Sequence, residues 1–213
     1  MTTVIGNDEM RIERMELGPY GTNTYIVVCQ TTGESLVVDA PGGAAEIIEA
    51  LQGTNPRYIL LTHDHMDHTG ALDLLRSQLK IPLATHPAST YQLKTPPEIL
   101  LEDGGKFSLG QLNIEVLHTP GHTPGSLCFK IGGILIAGDT IFPGGPGKTN
   151  SPANFQQIVS SITGKIFRLP EETVLFPGHG SETTVEKAKE EYAVFSSRSH
   201  KKDLCGDVLW LSS

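Results

Sequence analysis

Apolar residues fall in short runs separated by Gly, Pro, Asn and Asp along most of the chain, a pattern that predicts strands joined by turns. From Met10 to Asp39 it predicts a run ending at Leu17, a strand from Thr24 to Cys29, a turn at Thr31-Thr32-Gly33, and a strand from Ser35 to Asp39. A helix over Ala44 to Leu51 then leads through Asn55-Pro56 into the apolar run Tyr58, Ile59, Leu60, Leu61. Leu72, Leu75 and Leu79 recur at helical spacing and predict a helix ending near Lys80. Next come a strand at Pro82 to Thr85, a short helix at Pro87 to Leu93, and a hairpin of Phe107 to Ser108 with Leu112 to Leu117 around Gly110. A second hairpin pairs Ser126 to Ile131 with Ile134 to Ala137 through Gly132-Gly133. Helix Ala153 to Ile162, strand Val174 to Phe176 and helix Thr184 to Phe195 complete the series.

Sheet-rich halves interleaved with helices place the chain in the α/β (α+β) class, with no short-period repeat and no low-complexity tract. Its 213 residues suit one domain over 1–213, with a C-terminal helix and tail at 184–213, since two domains would each be cramped. Composition adds exclusions. A formal net charge of −8 repels a phosphate backbone, so nucleic acid is not an expected partner. No run of about 18 apolar residues and no basic-then-apolar leader occurs, which excludes a membrane partner and points to the cytoplasm. Cys29, Cys128 and Cys205 form no Cys-x-x-Cys pair, so neither a disulfide framework nor a thiolate zinc site is expected.

The chemistry is concentrated after the Tyr58 to Leu61 run, where THDHMDHTG places His63, His65, Asp67 and His68 within six residues. A turn has no need of that density of imidazole and carboxylate, whereas a bound cation does. Alternate residues of an extended segment project to one side, so His63 and His65 can grip one ion while Asp67 and His68, past the turn, face a second. Later strands also end in polar residues: HTPGHTPGS carries His118 and His122, AGDT carries Asp139, and PGHG carries His179. His63, His65, Asp67, His68, His122, Asp139 and His179 thus follow strand ends, where open α/β sheets keep their sites. Seven donors suffice for two ions sharing a carboxylate and a water. Asp39, before Pro41-Gly42-Gly43, also ends a strand; His86 reads as a surface or capping residue and His200 as a solvated tail residue.

In the order THDHMDH, PGHTPGS, AGDT and PGHG, these motifs resemble the metallo-β-lactamase superfamily over nearly the whole chain. The resemblance implies a four-layer αβ/βα sandwich, two mixed sheets flanked by helices, with two divalent ions, zinc first and iron or manganese as alternatives. His63, His65 and His122 would hold the first ion, Asp67, His68 and His179 the second, and Asp139 would bridge them. Asp39 would orient a ligand imidazole, and His118 would support the site without ligating. A carboxylate at Asp139 is similar to glyoxalase II, lactonases and persulfide dioxygenases; the common dizinc β-lactamases place a cysteine there.

Lys148, nine residues beyond Asp139, stands where glyoxalase II meets its substrate's carboxylate. That enzyme's helical C-terminal domain has no counterpart in the 34 residues after His179, and two of its substrate-side tyrosines are replaced by Ser181 and Asn150. The chain is therefore similar to compact glyoxalase II-like (hydroxyacylglutathione hydrolase-like) hydrolases acting on small-molecule thioesters. A hydroxide bridging the metals would attack, Asp67 would orient it, and a thiolate leaving group of pKa near ~8.5 would need no acid. A lactonase-like ester hydrolase is an alternative, as is a mononuclear iron persulfide dioxygenase using His63, His122 and Asp139. A non-catalytic metal-binding module would lack a ligand, and none is missing. The oligomeric state is not legible.

Overall fold

The apolar runs assemble into two mixed sheets in the computed structural model, which describes residues 1–213. The first sheet takes its strands in chain order: β1 (Thr2–Gly6), β2 (Met10–Leu17), β3 (Thr22–Cys29), β4 (Glu34–Val38), β5 (Asn55–Leu60), β6 (Leu83–Thr85) and β7 (Ile99–Leu100). Pairing is antiparallel from β1 to β4 and parallel from β4 to β7. Parallel neighbours need crossovers: α1 (Ala44–Ala50) joins β4 to β5, the single turn α2 (Met66–Thr69) and α3 (Leu72–Leu79) join β5 to β6, and a segment opening with a 3-10 turn at Pro87–Ser89 joins β6 to β7.

The second sheet contains β8 (Lys106–Leu109), β9 (Leu112–His118), β10 (Leu127–Ile131) and β11 (Ile134–Gly138), followed by the short ladder of β12 (Ile141–Phe142) with β13 (Gly145–Pro146). Helix α4 (Pro152–Gly164), strands β14 (Val174–Pro177) and β15 (Thr183–Thr184), and helix α5 (Val185–Ser196) complete the chain. Spatial order in this sheet is β15-β14-β11-β10-β9-β8, with β11 and β14 parallel and the others antiparallel.

Side-chain alternation then sorts the layers. Ile12, Tyr25, Val27 and Leu36 of the first sheet pack against Ile114, Val116, Phe129 and Ile136 of the second. Their opposite faces are covered: Ile26, Val28 and Val37 by Ile47, Leu72 and Leu75, and Cys128, Leu135 and Leu175 by Phe155, Ile158 and Phe195. The layers are therefore helix, sheet, sheet, helix, as the family resemblance implies. Burial on both faces explains why all eight residues of β3 are inaccessible.

Several elements differ from the sequence expectation. β1, β7, β13 and β15 are not signalled, because two to five residues with little alternation depend on a neighbour's backbone for pairing. The helix expected over Pro87 to Leu93 is one 3-10 turn, Pro87–Ser89, since the proline-bearing segment after it cannot extend the hydrogen-bond ladder. The tail is not loose. Thr149 and Gly206 exchange backbone hydrogen bonds of 3.1 and 2.9 Å, and Trp210 is fully buried among the residues under α4 and α5. His200 stacks on Phe195 at a centroid distance of 3.8 Å and bonds the Phe195 carbonyl, so it is a packed residue rather than a solvated one.

Removing a ring from the inter-sheet layer should cost far more than removing one at the surface. Phe129→Ala should lose about 3–5 kcal/mol, whereas Tyr91→Ala, 96% exposed, should stay within ~0.5 kcal/mol. Denaturant unfolding with unchanged slopes checks both; equal costs would contradict the layer assignment.

Candidate metal centre

Six chain segments meet at the carboxyl edge shared by the two sheets. β4 delivers Asp39, β5 delivers His63 and His65, α2 delivers Asp67 and His68, and the turns after β9, β11 and β14 deliver His122, Asp139 and His179. Backbone ties close the edge: Leu127 N–H donates to the Thr62 carbonyl at 2.8 Å and Asn23 N–H to that of Gly178 at 2.7 Å. Tyr25 Oη and Asn23 Nδ2 both donate to the Pro177 carbonyl, at 2.7 and 3.0 Å. The first sheet thereby positions the His179 turn of the second.

The seven sequence-predicted ligands form three overlapping groups, His63/His65/His122, His63/His68/Asp139 and Asp67/His68/His179, each with ligating atoms within 4.8 Å of one another. His65 Nδ1 lies 3.1 Å from His63 Nε2 and 3.0 Å from His122 Nε2, close to the ~3.3 Å edge of a tetrahedron with metal–nitrogen bonds of ~2.0–2.1 Å. In the other triad, His179 Nε2 lies 3.2 Å from Asp67 Oδ2, and His68 Nε2 lies 3.8 Å from the same oxygen. Asp139 sits between: Oδ1 is 3.3 Å from His68 Nε2, and Oδ2 is 3.6 Å from both His122 and His179 Nε2.

Hydrogen bonds on the far ring nitrogens set which atom each imidazole presents. His68 Nδ1–H donates to Asp39 Oδ2 at 2.7 Å, and His122 Nδ1–H donates to the Lys148 carbonyl at 2.8 Å. Thr62 Oγ1 donates to Asp39 Oδ2 at 2.8 Å, which leaves it to accept from His63 Nδ1–H at 3.1 Å. All three rings therefore aim Nε2 inward. Asp39 itself is fixed by the Thr62 N–H, which donates to Oδ1 at 2.8 Å.

The electrostatics fit cation ligation. Burial, with the nearby His68 charge, holds His63 well below the ordinary imidazole value, and burial also depresses His122; both rings are neutral donors. His68 behaves differently: burial opposes its charge, but Asp39 and Asp139 outweigh that and raise it to about 10. Asp139 is held below the usual carboxylate range because His68 and the surrounding imidazoles overcome its burial. His68 Nε2 and Asp139 Oδ1 are nonetheless buried without a hydrogen-bonding protein partner. Polar atoms are not left so without cost, and a cation at this point would satisfy both. The donor set therefore fits divalent metal at two adjoining positions.

Two glycines are required by close approach. A β-carbon on Gly178 would overlap Asp139 Oδ1, and one on Gly147 would overlap the Asp139 carbonyl oxygen.

The remaining sequence candidates lie outside the cluster. His118 stacks on His86 at a centroid distance of 3.9 Å and bonds the Pro124 carbonyl at 2.8 Å, so it supports the His122 turn and touches no ligand imidazole. His86 caps its 3-10 turn by accepting from Ala88 N–H at 3.1 Å. Lys148 contributes its carbonyl to His122, but its ammonium faces Asp207 Oδ2 at 3.9 Å, a partner the sequence reading did not identify. Asn23, Tyr25 and Thr62 were missed as well; as polar residues within or at the ends of apolar strands, they gave a weak signal.

A family model described as the metallo-beta-lactamase superfamily matches residues 17–179. The chain is 35% identical over 199 residues to the probable metallo-hydrolase YqgX of Bacillus subtilis (strain 168), covering 83% of this chain and 93% of that protein. It is 33% identical over 162 residues to a hydroxyacylglutathione hydrolase of Anaeromyxobacter dehalogenans (strain 2CP-C), covering 75% of this chain and 62% of that protein. The crystal structure of BLEG-1 B3 metallo-beta-lactamase matches with a TM-score of 0.77 and 29% identity, over 84% of this chain and 96% of that one.

Asparagine at position 39 tolerates the left-handed backbone found there (φ 62°) but brings no charge to His68. Asp39→Asn should weaken metal binding by the Asp67/His68/His179 group about 10–100-fold and that by His63/His65/His122 less. Stepwise metal titration of the two sites reads this directly, and equal weakening of both would be the contrary result.

Proposed function

The chain belongs to the metallo-beta-lactamase superfamily of metallo-hydrolases, and from that premise we propose that it hydrolyses small thioesters with two divalent ions, zinc in the first instance. The observation that carries this reading is the pair of three-donor groups, His63/His65/His122 and Asp67/His68/His179, meeting at one carboxylate, Asp139. A mononuclear iron centre would use His63, His122 and Asp139, and retention of the other four residues does not separate it from the two-ion scheme; metal analysis with oxygen uptake does. The thioester preference rests on the similarity to a hydroxyacylglutathione hydrolase and on the carboxylate at position 139. The net charge of −8 is in keeping with a small-molecule substrate rather than nucleic acid. No helix is long and apolar enough to cross a membrane.

Two bound divalent ions supply a water acidified from a pKa of ~15.7 towards ~7 and polarise a substrate carbonyl. The chain's own contribution is orientation. Asp67 keeps 24% of its side chain exposed while Oδ2 faces His179, so it can accept a hydrogen bond from the attacking water and fix its direction. Asp39 and Thr62 lock the rings of His68 and His63, and the Lys148 carbonyl locks that of His122. No proton donor is required for departure, because a thiolate of pKa near ~8.5 leaves unassisted. Serine or cysteine nucleophiles are not needed: Cys29 and Cys128 are buried, and burial raises Cys128 to about 11.

Asp139→Ala should lower turnover more than 100-fold with loss of bound metal, because two cations would face each other without a shared carboxylate. His118→Ala, acting only through the loop, should cost about 10-fold or less. Metal analysis of protein purified without added metal, a thioester panel and oxygen uptake test the reading together. Near-normal turnover of Asp139→Ala at full metal content would refute the two-ion scheme, and oxygen consumption with a persulfide would replace hydrolysis by dioxygenation.

A further inference from the structure

A cleft of about 170 Å³ lies against the metal centre, lined by Phe142, Pro146, Lys148, Asp207, Val208 and Leu209 among others. Two of its residues adjoin the site. The Phe142 ring is 6.3 Å from that of His179, and the Lys148 carbonyl accepts from His122. The outer wall comes from the tail, beyond the residues 17–179 matched by the family model. That wall is fixed: besides the Thr149–Gly206 exchange, Trp210 N–H donates to the Gly144 carbonyl at 2.8 Å, and Gly144 N–H donates to the buried Glu191 at 2.8 Å.

We infer that this cleft is the substrate-arm subsite of the thioesterase, that it takes a short uncharged arm, and that Asp207 determines this preference. Size is the first reason. The cleft, about 170 Å³, offers Phe142, Val208 and Leu209 as an apolar lining for a short arm. Charge is the second. Lys148 alone would attract a carboxylate, but Asp207 Oδ2 stands 3.9 Å from its ammonium, with 62% and 78% of the two side chains exposed. An incoming carboxylate therefore meets Asp207 as well as Lys148, and the mouth is near neutral overall. Two unit charges ~4 Å apart in water shift an equilibrium about fivefold, and salt screens the effect. This is the scale on which Asp207 discriminates.

The inference rests on the thioesterase reading, and one set of substrates separates the two. We would compare the acetyl thioester of N-acetylcysteamine, which is uncharged, with the acetyl thioester of 3-mercaptopropionate and with a thioester of N-acetylcysteamine whose acyl arm ends in a carboxylate. Asp207→Asn removes the charge at an exposed position with no other polar contact in the structure, and thermal unfolding verifies its fold. Relative to the uncharged substrate, kcat/KM for one anionic substrate should rise about fivefold through KM in Asp207→Asn. The gain should fade in ~0.5 M salt and disappear when Lys148→Ala is added. The substrate that gains identifies the arm seated in the cleft. Unaltered preference in Asp207→Asn for both anionic substrates, with hydrolysis intact, overturns the inference alone. No hydrolysis of any of the three by the wild-type protein overturns the thioesterase reading and the inference with it.

Discussion

His68 lies buried between two carboxylates that different sheets deliver, Asp39 at 2.7 Å from the end of β4 and Asp139 at 3.3 Å from the end of β11. Burying three ionisable groups in a row is costly unless each is compensated. Asp39 compensates one side of His68, and a cation held by both His68 Nε2 and Asp139 Oδ1 would compensate the other, so the two sheets must meet at this edge and in one register. The main chain respects the same demand: Ala40 N–H donates to the His68 carbonyl at 2.9 Å and Ala71 N–H to that of Ala40 at 2.8 Å, pinning α2 to the end of β4. Everything else at the site is placed relative to this axis. His63 shares Asp39 through Thr62, and His122 and His179 approach the far oxygen of Asp139.

The loop from Phe142 to Asn150 serves both halves of the problem. Its backbone holds the ring of His122, its Gly147 admits the Asp139 carbonyl, and its Lys148 side chain points toward the cleft. Because Gly144 and Thr149 are tied to Glu191, Gly206 and Trp210, the geometry of a metal ligand depends on residues some 60 positions further along. Rigid support of this kind matters for hydrolysis, since a misplaced ligand or water forfeits the advantage of fixed orientation. The tail itself folds back, with Trp210 as its buried anchor, and forms one wall of the cleft.

Strands β2 and β9 were legible from alternation, β3 to β5, β10 and β11 from apolar runs bounded by turn residues, and the helices from leucine or isoleucine at 3.6-residue spacing, because burial of one face or of both marks the sequence. The cluster His63, His65, Asp67 and His68 was legible for a different reason, its density of imidazole and carboxylate, whereas His122, Asp139 and His179 were marked by strand ends and by the motifs they share with the family. Short elements such as β7, β13 and β15 left no trace, because their pairing is a property of the neighbouring strand.

By itself, then, the sequence determined the strand and helix runs and the dense cluster of His63, His65, Asp67 and His68 from residue type and local spacing, and its motifs, through the family they resemble, implied the αβ/βα layering, the other ligand candidates and the part played by Asp39. Tertiary structure alone decided which nitrogen each ring presents, because that depends on acceptors as distant as the Lys148 carbonyl opposite His122. It shows the physical difference between His122 and His118, which the family motif had already set apart: one ring turns toward His65 and the other stacks on His86. It alone set Asp207 beside Lys148, 59 residues apart in the chain. Contacts between groups far apart in sequence leave no periodic signature, and the energy that fixes them resides in the packing of two sheets and a returning tail.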